Sequence, residues 1–586
     1  MPHRYIALVA PPAAPDALQR LVWARAALSR QPGWRAAFAR PGLEVWTNAA
    51  HRTPVVELEP GGAVIIGDLL AGTGNFRGPL PTEPVAAAAR LCADGWGSYV
   101  ALLPHAAGAA VLRAPAGPLD ALVWRQGALT VVSDDVRRLP PGLAPPTLSL
   151  DWDVITDLVK WTVLAGRRAP FGGLTEVPSG ALEVDGRVVE VWRPARFART
   201  PAALDAKELR RITVAVAGRL AALEPTFAVE VSGGLDSAIV AAALAEAGEA
   251  PRAAAAFNHF PARPEGDERH YAAQVCAATG LALETFPRPI GDLSLTDLSE
   301  LADLAGPALI AADAPADRDV ADRASALGVG AILGGQGGDA VFFQMPSAAV
   351  VADRLRVRGL AALGEPFVQD CAQWMRRSVW SLAGEARRRK TWTANPSPMW
   401  TRFWGGRAHA SGRRPPHPWL RDVEDLLPSK QLQVQSLAAM QHPWNRTRRG
   451  AVVRTVEPLL AQPIVEACLA TPSWRLLDGR RDRALARDAF AELLPPEVIE
   501  RRSKGALTTL YTRRVARSLD VLRPYLLDGV LVDAGVLDRA AMAAALDPDE
   551  LIWRGEGALL GRIALIEAWV RHWQTQVPDL ARSARS

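Results

Sequence analysis

Hydrophobic and polar positions fall into two patterns along this chain, and they change near residue 200. Before it, short apolar runs are separated by Gly and Pro; residues 63–68, 98–103, 121–124, 129–133 and 181–184 read as strands. Apolar residues at helical spacing predict two helices among them, over 17–30 and 82–92. Beyond a helix at 209–223 the order becomes regular: strand 228–231, helix 238–247, strand 252–257, helix 267–280, strand 281–286, helix 319–327, strand 331–333. Asp267 and Gly280 are the expected caps of the third of these helices. Strands alternating with helices argue for a parallel sheet with ligands at its carboxyl ends. The polar, proline-marked passage 194–207 is the expected boundary, dividing the chain into domains 1–200 and 201–586.

Composition narrows the class. With 586 residues, 49% hydrophobic and 22% charged, the chain is long enough for several cores and is not a disordered one. A net charge of +5 permits an acidic or phosphorylated ligand without demanding nucleic acid. Four widely spaced cysteines show no metal-ligand spacing and suit reduced thiols in a cytoplasmic protein. The apolar run at the amino terminus is short and broken by Pro11 and Pro12, unlike a signal peptide, and no stretch reaches membrane-spanning length.

The candidate chemistry lies in two glycine-rich loops. Ser232-Gly233-Gly234-Leu235-Asp236-Ser237 joins a buried strand to a helix, so two glycines bring backbone close to a ligand while the helix's first N–H groups point at it. The lysine of the Walker P-loop is absent. The hexapeptide resembles the pyrophosphate loop of the ATP pyrophosphatase superfamily, whose members form adenylates and release pyrophosphate. Residues 334–343 follow another strand and set four glycines around Asp339. This stretch resembles the second loop of the asparagine synthetases, and the resemblance implies that Asp236 and Asp339 hold Mg²⁺, with Gly335, Gln336 and Gly337 beside ATP phosphates. It also places the adenine next to Val231 and Phe257, both of which are equally suited to a plain core.

Later stretches, 453–468, 471–472, 483–487 and 494–505, resemble the helical end of the same family, with Lys504 at the position of its active-site lysine. Gln336 departs from the pattern. Asparagine synthetases carry a glutamate there and β-lactam synthetases a tyrosine that works with a distant glutamate; a glutamine takes no proton. His442, close to the expected place of that distant glutamate, is one candidate base, and the pair Asp267–Glu268 is another, though all three also suit structural roles.

The amino-terminal region resembles the Ntn-type glutaminase domain of asparagine synthetases, a sandwich, over 132–139 and 171–194. Its relatives use an amino-terminal cysteine; here Met1 precedes Pro2 and the first cysteine is Cys92, so no glutamine hydrolysis is expected. The expected fold is therefore α/β: a sheet-rich, glutaminase-like sandwich, then a parallel-sheet ATP-binding domain with a helical carboxyl-terminal part. Tryptophan and arginine interleave over 374–419, a composition that suits an extended peptide, nucleic acid or a solvated surface.

Among relatives without the cysteine, the lasso peptide macrolactam synthetases are the best match. That resemblance implies ATP and Mg²⁺ as cofactors, a precursor peptide as substrate, and a leader-binding protein and leader protease as partners, without nucleic acid or membrane. A β-lactam-type or ammonia-dependent synthetase, and a nucleotide-binding scaffold without catalysis, are the competing readings.

Overall fold

The computed structural model describes residues 4–583 apart from 12–13, 73–75, 77, 107, 141, 166–168, 262–265, 289–290, 310–313, 345–346, 390–391, 393–400, 413–416, 442–446 and 503–506. His442 and Lys504 lie outside the described residues.

Two six-stranded antiparallel sheets make up the amino-terminal part. The strand Tyr5–Val9 sits inside the first, paired with Leu43–Asn48 on one side and Leu129–Ser133 on the other. All five of its residues are buried because the pleat sends alternate side chains to two cores. Tyr5, Ala7 and Val9 meet Val64, Ile66, Val100 and Leu102 of the second sheet, while Ile6 and Leu8 face the larger core shared with the helices. A sandwich results, as expected, with the helices Pro15–Ser29 and Pro84–Asp94 close to their expected places.

The carboxyl-terminal part is built on a five-stranded parallel sheet. Its order across the sheet is Leu283–Pro287, Ala253–Phe260, Phe227–Glu230, Ala331–Leu333 and Arg454–Val456. Four of these strands were expected from the pattern; the fifth is only three residues long and arrives more than a hundred residues after its neighbour. The helix Arg269–Thr279 ends on left-handed Gly280, as expected, but its N-cap is Glu268, and Asp267 instead accepts the Arg269 N–H at 3.1 Å.

Helices fill the rest, and the last, Gly557–Ser583, returns to the amino-terminal part. There Trp569 and Trp573 pack against Phe171 with ring centroids 5.2 and 4.7 Å away. Tryptophans of the 374–419 segment also serve packing. Trp392, Trp404 and Trp419 are buried, Trp404 beneath the Lys160 ammonium and Trp419 edge-on to Trp192. These three offer no surface for a peptide; Trp380, 74% exposed, does reach solvent. Among the described residues no helix is long and apolar enough to cross a membrane.

Candidate active site

The first loop leaves the central strand of the parallel sheet, where strand–helix units direct their ligands. Gly233 is left-handed, with φ of 86°, and a Cβ there would lie 2.7 Å from the Glu268 carbonyl oxygen, so only glycine fits the turn. Two serines brace the loop. Ser237 Oγ donates to the Gly234 carbonyl at 3.0 Å, and Ser232 Oγ accepts the Gly234 N–H at 3.2 Å. The helix Leu235–Glu246 begins at Gly234 with no side-chain cap, which leaves its opening N–H groups for a ligand.

The second loop leaves the neighbouring strand and lies directly on the first. A Cβ on Gly335 would stand 2.4 Å from the Ser237 nitrogen, and one on Gly338 would stand 2.5 Å from the Asp236 carboxyl carbon. Glycine here is what allows two backbones to touch. That contact brings Asp236 and Asp339 together: both oxygens of Asp236 lie 3.0 Å from Arg483 Nη1, and Asp339 Oδ1 lies 2.8 Å from the same nitrogen. Burial works against the Arg483 charge, but the carboxylates of Asp236, Asp482 and Asp339 outweigh it and raise its pKa.

Two carboxylates converging on one cationic point are a donor set that also suits Mg²⁺, which takes one or two carboxylates and completes its shell with phosphate and water. No group of three or more such side chains is placed for a metal among the described residues.

A cavity of about 310 Å³ opens beside the loops. Ser232, Gly234, Leu235, Asp236 and Ser237 line it from the first loop, Gly335 and Gln336 from the second, and Phe257 from the next strand. Val231, Gly233 and Gly337 do not line it; Val231 is fully buried, and its carbonyl accepts from the Asn258 amide at 2.7 Å. A core role fits Val231, whereas Phe257 has one edge on the cavity.

Six lining residues were not foreseen in this role: Arg288, Val498 and four that are held by distant partners. Arg483 enters from the helical end and Arg501 clamps the first loop, donating to the Gly233 carbonyl at 2.9 Å and pairing with Glu268. That pairing, and the Asp267–Arg269 pair, give both acids of the Asp267–Glu268 pair structural partners. Glu230 is held 2.8 Å from Arg449, whose charge outweighs burial and keeps the carboxyl below its usual range. His259 is pushed below its ordinary pKa by burial, against the pull of Glu230 and Asp319. No local signal in the sequence points to these four, because each acts through a partner far away in the chain.

Residues 209–573 match the family model described as asparagine synthase, a span that contains both loops, Arg483 and the fifth strand. The chain belongs to the asparagine synthase family. Membership in the family supports ATP-dependent amide ligation as the activity. Compared with curated proteins, the chain finds no match.

The four cysteines of this family member lie inside the fold. All are buried, and burial pushes the Cys92, Cys371 and Cys468 thiols up to about 12 and Cys276 to about 11.

Proposed function

We propose that the protein forms an amide by adenylating a carboxylate, and that its product is the macrolactam ring of a lasso-type peptide, closed between an α-amine and an Asp or Glu side chain. A carboxylate oxygen would attack the α-phosphorus of ATP, pyrophosphate would leave, and an amine within the same peptide would displace AMP. The observation that carries the reading is the meeting of Asp236 and Asp339 on one cation, at the point where two N–H-rich loops touch. Asp236 and Asp339 would hold the magnesium, which supplies positive charge to the polyphosphate. Arg483 and the N–H groups opening Leu235–Glu246 would bind the departing pyrophosphate.

The peptide part rests on Gln336. It stands where relatives that act on small substrates carry a glutamate or a tyrosine, and holding both ends of one chain lets orientation supply much of the rate. Incubation with ATP, Mg²⁺ and a leaderless precursor peptide tests this by mass spectrometry. Expected are AMP, pyrophosphate and a peptide lighter by one water; asparagine made from free aspartate, with peptides untouched, would replace the macrolactam reading. Asp339→Asn is expected to lower the rate at least 100-fold while leaving the melting curve cooperative.

A further inference from the structure

Gln336 has two faces. It lines the nucleotide cavity and also a second cavity of about 130 Å³ between the amino-terminal part and the parallel sheet. That second space is walled by apolar Trp96, Leu119, Leu223 and Met440, with Arg4, Arg52, Asp68, Arg454 and Glu457 as its charged groups. Glu457 follows the fifth strand and tucks beneath the second loop. Its Oε2 accepts the backbone N–H of Gln336 at 2.9 Å, and a Cβ on Gly334 would lie 2.7 Å from the same oxygen. The glycine makes room for this carboxylate.

Its charged neighbours are committed elsewhere. Arg449 pairs with Glu230 at 2.8 Å, and Arg454 pairs with Asp68 at 2.6 Å and Glu224 at 3.5 Å. Among the described residues no basic side chain pairs with Glu457, and its Oε1 accepts no hydrogen bond. A carboxylate held by one amide of the second loop is placed to receive a proton.

We infer that Glu457 is the general base of amide formation, taking the proton of an acceptor amine that approaches the adenylate past Gln336 from the second cavity. The inference rests on the adenylation reading above. The amine nitrogen bonds to the acyl carbon, the bond from that carbon to the AMP oxygen breaks, and AMP leaves with the electron pair. The amine's proton passes to Glu457 Oε1 and then to water. Burial, aided by Glu230 and opposed by Arg449 and the Gln336 N–H, pushes the carboxyl up to about 8. That matches an α-amine, near 8, so the proton moves between groups of similar basicity.

The test separates the two half-reactions. Wild type, Glu457→Gln and Glu457→Asp are given ATP, Mg²⁺, labelled pyrophosphate and synthetic peptides carrying one Asp or Glu and a free α-amine. Glu457→Gln is expected to retain pyrophosphate exchange within about threefold and to lose ring closure by roughly 100-fold or more. Glu457→Asp is expected to keep part of it. Hydroxylamine, largely unprotonated at neutral pH and small enough to pass its proton to water, should give hydroxamate equally with wild type and Glu457→Gln.

Ring closure retained in Glu457→Gln would overturn the assignment. So would parallel loss of exchange and closure, which would make Glu457 a support of the loop. Wild type without exchange on any peptide would overturn the adenylation reading, and this inference with it.

Discussion

A single half-buried carboxylate sets the first expectation. Folding raises the Glu457 pKa to about 8, so the native state holds a proton that the unfolded chain releases near 4.3. The stability tied to that proton is complete below the unfolded value and is lost as pH rises through about 8. Glu457→Gln, which cannot ionise, should therefore melt higher than wild type at pH 9 and gain nothing at pH 4, measured by thermal denaturation at the two pH values. Equal shifts at both would remove the strained-carboxylate account. At this scale the sequence was partly legible. Asp236 and Asp339 announce themselves through flanking glycines, whereas Glu457 and Arg483 stand in ordinary surroundings. Their meaning comes from partners 121 and 247 positions away.

Elements carry the next expectation, because the two loops touch through glycine. Gly335→Ala would place a methyl 2.4 Å from the Ser237 nitrogen, backbone that cannot swing aside. The loops must part, pulling Asp339 from Asp236. Pyrophosphate exchange should fall roughly 100-fold, the scale of one lost transition-state contact, with circular dichroism unchanged; near-normal exchange would show that the loops meet only loosely. The first loop's strand and helix were readable from periodicity, and Ala331–Leu333, only three residues long, was readable because a helix precedes it and a glycine-rich loop follows it. Arg454–Val456 was not, since it stands outside the strand–helix alternation and its pairing with Ala331–Leu333 comes from the tertiary fold.

For the whole molecule, the decisive contact is the return of the final helix to the first part. Phe171, Trp569 and Trp573 form one aromatic cluster, and both indole N–H groups donate to the Leu304 carbonyl, at 2.8 and 2.9 Å. Polar ties add to it: Trp192 Nε1 donates to Glu466 at 2.6 Å and Lys160 donates to Gly412 at 2.7 Å. The two parts should melt as one unit in calorimetry. Trp573→Ala should cost about 3–5 kcal/mol and split that transition in two; a single unshifted peak would deny the coupling. Nothing in the local pattern near either end foretells this, because aromatic residues at helical spacing identify a buried face without identifying what buries it.

The packing of Gly334 against Glu457 also bears on how such an enzyme changes over generations. A glutamate at 336 would set a second carboxylate on a residue that already touches the first, which burial disfavours, and each would hinder ionisation of the other. A bulkier residue at 334 would evict Glu457 before any substitute were in place. Three positions on two distant stretches are thereby tied into one inherited unit. A change at any one of them alone disturbs the other two.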